Sequence, residues 1–138
     1  MGNPQKTKGD AYERELAAHL NDSVYGYEQC GRAPLSGGGF VGLSGGADLI
    51  GTTGLFVEAK RVERLAWREA VAQAERNATT TKAPETPVVI TRKSREKTGD
   101  SLVVMRLDEF NKFYRAWLSV EGYKTIPFGD RADADASE

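Results

Sequence analysis

The chain has 138 residues, 39% of them apolar, and a formal net charge of −1, a size that suits one domain able to bury a core without disulfides or structural metal. Its single cysteine, Cys30, excludes an intramolecular disulfide and points to a cytoplasmic setting, and one cysteine with one histidine argues against a zinc site. No apolar run nears the roughly 20 residues that span a bilayer, and the polar stretch Met1 to Asp10 lacks the apolar core of a signal peptide.

Residues 1–7 read as a disordered arm, residues 8–128 as the single folded domain, and residues 129–138 as an acidic disordered tail. A helix is predicted from Gly9 to Leu20, with Tyr12, Leu16 and Leu20 as its apolar stripe. Tyr25 to Arg32 reads as a strand. Residues 36–46 hold six glycines and form a loop too long for a simple turn. Ala47 to Ile50 and Leu55 to Lys60 are expected to pair as a hairpin around Gly51-Thr52-Thr53-Gly54. Leu65 to Asn77 is a second helix, with Trp67, Ala70, Val71 and Ala74 on one side. Strands follow at Pro87 to Thr91 and Ser101 to Met105. Leu107 to Leu118 is a last helix, with Asp108 as its cap and an aromatic face of Phe110, Phe113, Tyr114 and Trp117 suited to a core or a dimer interface. The order α-β-β-β-α-β-β-α predicts an α/β fold with a mixed sheet flanked by helices.

The charge is unevenly placed. The last nine residues carry four acids and one arginine, so the remainder has a net charge of +2. Local field rather than total charge governs phosphate binding. Arg61, Arg64 and Arg68 recur at helical steps and could line one basic face; Arg92, Lys93, Arg95 and Lys97 make a second basic patch. Either can meet phosphates or simply be solvated.

The chemistry concentrates between Asp48 and Lys60, D-L-I-G-T-T-G-L-F-V-E-A-K. Side chains alternate along a strand, so Glu58 and Lys60 share one face and Val57 and Ala59 the other. Nine residues lie between Asp48 and Glu58, and a hairpin there brings the two carboxylates together. Converging carboxylates beside a lysine suit Mg²⁺, with Mn²⁺ as a substitute, and an activated water. Asp48, Glu58 and the carbonyl of Ala59 would supply oxygen ligands, and Lys60 would assist the water or the developing charge. Glu13 sits at the edge of the inward stripe of the first helix, where a carboxylate needs a partner or a cation, and is expected as a further ligand of the same metal ion. Each residue also has a structural reading: a turn aspartate at 48, an ion pair of Glu58 with Lys60, and a surface glutamate at 13.

The motifs in order resemble a known family. Lys8-Gly9-x-x-x-Glu13-Arg14, Arg32-Ala33-Pro34-x-Ser36-Gly37, Ala47-Asp48-Leu49-Ile50 and Val57-Glu58-Ala59-Lys60 look like the successive motifs of archaeal-type Holliday-junction resolvases, within the PD-(D/E)xK nuclease superfamily. The resemblance spans residues 8–60 and extends loosely to Gln73. It implies a restriction-endonuclease-like fold and a catalytic set of Glu13, Asp48, Glu58 and Lys60. Ser36 would be an active-site loop serine, and a homodimer would cut branched DNA. Arg14, Arg32, Ser36, Arg61, Arg64 and Arg68 are the residues expected to contact DNA. Ala47 stands where the family carries proline, and the 38–46 loop has fewer basic residues than usual. These departures and the weak basicity point to a phage or bacterial relative.

The expectation is therefore a Mg²⁺-dependent endonuclease acting on four-way junctions, with no small-molecule cofactor. Two other readings stay open: a sibling nuclease acting on flapped, nicked or mismatched DNA, and a non-catalytic DNA-binding protein of the same fold.

Overall fold

A computed structural model describes residues 4–34 and 46–126. Ser36, most of the glycine-rich loop and the acidic tail lie outside the described residues. The chain divides into two compact units, residues 1–105 and 106–138. The first is a mixed α/β unit.

Helix α1 spans Pro4–Leu20. It starts earlier than Gly9 and takes in residues 4–7, expected as part of an arm. Proline is well suited to the first helical position, where its missing N–H costs nothing. After Leu20 the backbone continues as one π-helical turn, Asn21–Tyr25, ended by Gly26 at φ +80°. The predicted strand from Tyr25 to Arg32 shrinks to β1, Gly31–Arg32. The reason is the side chain of Asn21. Its Oδ1 accepts the backbone N–H groups of Gln29 and Cys30, both at 2.9 Å, and its Nδ2 donates to the Cys30 carbonyl at 3.0 Å. An amide side chain thus takes the place of a neighbouring strand for this stretch.

Strand β2, Leu49–Ile50, pairs antiparallel with β1 rather than forming the expected regular hairpin with the next strand. Gly51 explains the close fit to the preceding segment: it has φ +80°, and a Cβ there would collide with the Gln29 carbonyl. Strand β3 runs Leu55–Arg61, helix α2 Trp67–Thr80, strand β4 Thr86–Arg92 and strand β5 Leu102–Val104. β3 and β4 are parallel, with Glu58 beside Val89 and Lys60 beside Thr91. β4 and β5 are antiparallel. Parallel neighbours require a crossover, and α2 supplies it.

The alternation predicted for β3 is present. Val57 joins Tyr12, Leu16, Leu49, Val88 and Ile90 in the core beneath α1. On the opposite face, Val89 packs against Ala70, Val71 and Ala74 of α2, and Phe56 against Ala47 and Ala78. Trp67, expected on the buried side of α2, is instead 45% exposed. Glu15 is bonded at 2.7 Å to the buried guanidinium of Arg92. That guanidinium also lies 5.2 Å from the ring centroid of the fully buried Tyr12.

The second unit holds helix α3, Leu107–Val120, with Asp108 and Glu109 in its first turn and Arg106 at the capping position expected for Asp108. Phe110, Tyr114, Trp117 and Tyr123 form a ladder of stacked rings with centroids 5.9, 6.4 and 6.1 Å apart. No helix of the described residues is long and apolar enough to cross a membrane.

Candidate active site

Asp48 stands just before β2, and its backbone joins the two sheets. Its N–H donates to the Val57 carbonyl and its carbonyl accepts the Ala33 N–H, both at 2.9 Å. These two bonds fix the carboxylate against the middle of β3. There its Oδ2 accepts the Ala59 N–H at 2.8 Å. The N–H and C=O of one strand residue leave the backbone on the same side. The Ala59 carbonyl therefore opens toward Asp48 as well, where a metal ligand was expected.

Glu58 is buried, at 5% exposure, and points to the face covered by α2. Its Oε1 accepts Nδ2 of Asn77 at 2.9 Å. The Glu58 and Asp48 carboxyl groups also lie close enough to interact directly. Burial first, then the Asp48 charge, push the Glu58 pKa up to about 7, against the opposing pull of Asn77 and Lys60. Asp48 is raised as well, by burial, although the Ala59 N–H and Lys60 favour its ionised form. The pair titrates as one unit. A positive charge beside the pair would favour the ionised form of both carboxylates.

Glu13 belongs to the same electrostatic neighbourhood. Burial and then the charge of Asp48 raise its pKa to about 7, opposed by Arg32. Its carboxylate is held by Arg32, whose Nε reaches Glu13 at 3.0 Å and whose second nitrogen reaches Asp10 at 2.7 Å. Among the described residues no three acidic, histidine or cysteine side chains are gathered closely enough to hold a metal. The expected three-carboxylate set thus stands as two carboxylates in contact, Asp48 and Glu58, with the third turned to an arginine.

Lys60 follows on the same face of β3, half-buried, and its charge favours the ionised forms of both Asp48 and Glu58. The arginines expected to contact DNA are dispersed. Arg14 is exposed on α1, and Arg32 is occupied by Asp10 and Glu13. Arg61, Arg64 and Arg68 do not share a helical face. Arg61 ends β3, Arg64 lies in the connection, and only Arg68 is in α2, because that helix starts at Trp67. Ser36 lies outside the described residues.

Asn77 is the residue that reading the sequence missed. The signal was present: it sits three residues after Ala74, on the small-residue stripe that α2 turns toward the sheet. A polar side chain in such a stripe needs a buried partner, and Glu58 is that partner.

Comparison with protein-family models, with curated proteins and with solved structures returned no match.

Proposed function

We propose that the protein is a metal-dependent, structure-selective DNA endonuclease of the restriction-endonuclease-like kind, acting on four-way junctions. The observation that carries this reading is the buried Asp48–Glu58 carboxylate pair, with Lys60 on the same strand face and the Ala59 backbone turned toward Asp48. Two adjacent buried carboxylates make a favourable place for positive charge. All donors are hard oxygens, which suits Mg²⁺ or Mn²⁺.

Asp48, Glu58 and the Ala59 carbonyl would hold the ion, with Glu13 available once it leaves Arg32. When bound, the ion supplies Lewis acidity and lowers the pKa of water at the site. The remaining work falls to the chain itself. Asn77 fixes the rotamer of Glu58, and the Ala59 N–H fixes Asp48. Lys60 orients the attacking water or neutralises charge that builds on the phosphate oxygens. Water oxygen bonds to phosphorus, the bridging P–O bond breaks, and the leaving oxygen takes up a proton. The choice of a four-way junction as substrate, and of a homodimer that cuts two strands, rests on the motif resemblance.

The test is digestion of a synthetic four-way junction beside linear, flapped and nicked duplexes in Mg²⁺. Paired symmetric nicks confined to the junction support resolution. Equal cutting of linear duplex would refute the substrate assignment, and no cutting of any DNA would refute the enzyme.

A further inference from the structure

The carboxyl ends of β3 and β4 open on a cleft of about 440 Å³, lined by Val62, Arg64, Trp67, Thr91, Lys93 and Leu102. Crevices at the carboxyl ends of parallel strands are the usual ligand sites of open α/β sheets, because the connecting segments part there. This cleft adjoins the candidate active site. The Thr91 hydroxyl on its floor donates to the Lys60 carbonyl at 2.6 Å. Val62 follows Lys60 by two residues, roughly 7 Å at the rise of a strand.

Its lining combines two chemistries. Trp67, Val62 and Leu102 are 45%, 38% and 57% exposed. An indole at the first position of α2 lies open although the same helix buries Ala70, Val71 and Ala74. The rim carries charges of both signs. Glu63 and Glu96 are engaged by the backbone N–H groups of Ser94, at 2.9 Å, and Lys93, at 2.7 Å. Arg92 is committed to Glu15. The side chains of Arg64 and Lys93 enter no hydrogen bond or ion pair among the described residues. A flat aromatic surface flanked by two unpaired cations matches a nucleobase with its phosphate.

We propose that this cleft binds a nucleotide near the scissile one, with its base stacked on Trp67 and its phosphate held by Arg64 and Lys93. The proposal rests on the nuclease reading and adds a specificity element to it. A base can reach Trp67 only after leaving its stack, so the cleft favours a nucleotide freed where the strands of a junction exchange over one in continuous duplex.

The chain has two tryptophans, so the full-length W117F variant leaves Trp67 as its sole indole reporter. It is titrated in EDTA with a short oligothymidylate and with a four-way junction, following indole emission and, with labelled DNA, anisotropy. Saturable quenching that tracks the anisotropy is expected. The R64A/K93A pair, both exposed positions, is expected to bind at least tenfold more weakly with a shallower salt dependence. W67A, checked for an unchanged urea midpoint, is expected to lose affinity by a similar factor. Binding of either DNA without quenching, or unchanged affinity in R64A/K93A, overturns the cleft assignment alone. Failure to bind both DNAs overturns the nuclease reading together with it. Quenching by an acidic peptide but by neither DNA would assign the cleft to a protein partner and refute the proposal.

Discussion

Glu58→Gln is expected to stabilise the metal-free protein, although it removes a residue placed at the centre of the site. Burial and the neighbouring Asp48 lift the Glu58 pKa from 4.5 to about 7 in the folded chain. A carboxyl group with a raised folded pKa stabilises the fold fully below its unfolded pKa and loses that contribution as pH rises through the folded value. A tenfold difference in proton affinity between folded and unfolded chain is worth roughly 1.4 kcal/mol. The folded protein at pH 8 therefore gives up at most about 3 kcal/mol relative to pH 4 through this group. Glutamine keeps the geometry without the charge. Its Oε1 can still accept from Asn77, and its NH₂ can donate to Asp48. Urea denaturation in EDTA should therefore show the variant about 1–3 kcal/mol more stable than the parent at pH 8. The difference should shrink toward zero near pH 4.5. Saturating Mg²⁺ should reverse the order, because only the parent gains the linkage free energy of a bound ion. A variant less stable than the parent at pH 8 in EDTA would refute the reasoning, since Glu58 would then not be under electrostatic strain.

Lys60→Ala should lower the single-turnover cleavage rate by about 10²-fold or more while gel-shift affinity for the junction in Ca²⁺ stays within a few-fold; a rate close to the parent's would remove Lys60 from the chemistry. Asn77→Leu leaves Glu58 without its donor and should weaken Mn²⁺ binding by about tenfold in calorimetry; unchanged affinity would reduce Asn77 to a packing residue. Tyr12 is fully buried beneath Arg92, with its hydroxyl donating to Ser101 at 2.7 Å. Tyr12→Phe should cost about 1 kcal/mol and Tyr12→Ala about 3–5 kcal/mol in urea melts, and near-equal losses would contradict the packing role given to the ring.

The parts legible in the sequence were those set by local rules. Alternation along Leu55 to Arg61 placed Glu58 and Lys60 on one face, and the glycines at 51 and 54, with φ +80° and +88°, marked the turn before β3. The stripe of Tyr12 and Leu16 on α1 followed from helical periodicity. What escaped depended on side chains meeting across distant segments. The strand expected from Tyr25 failed because Asn21 captures the backbone of Gln29 and Cys30, a tertiary contact that no propensity encodes. Arg32 looks like a free phosphate contact until α1 brings Asp10 and Glu13 to it. Glu15 meets Arg92 only because β4 delivers it. Asn77 becomes part of the site only because α2 crosses back over β3.

Crystals of the protein soaked in Mn²⁺ and measured at the manganese absorption edge test the central claim most directly. The account predicts an anomalous peak within coordination distance of both the Asp48 and Glu58 carboxylates, on the side where the Ala59 backbone faces Asp48, and its absence in Asp48→Asn crystals. No peak at millimolar Mn²⁺, or a peak that persists in Asp48→Asn, would contradict it.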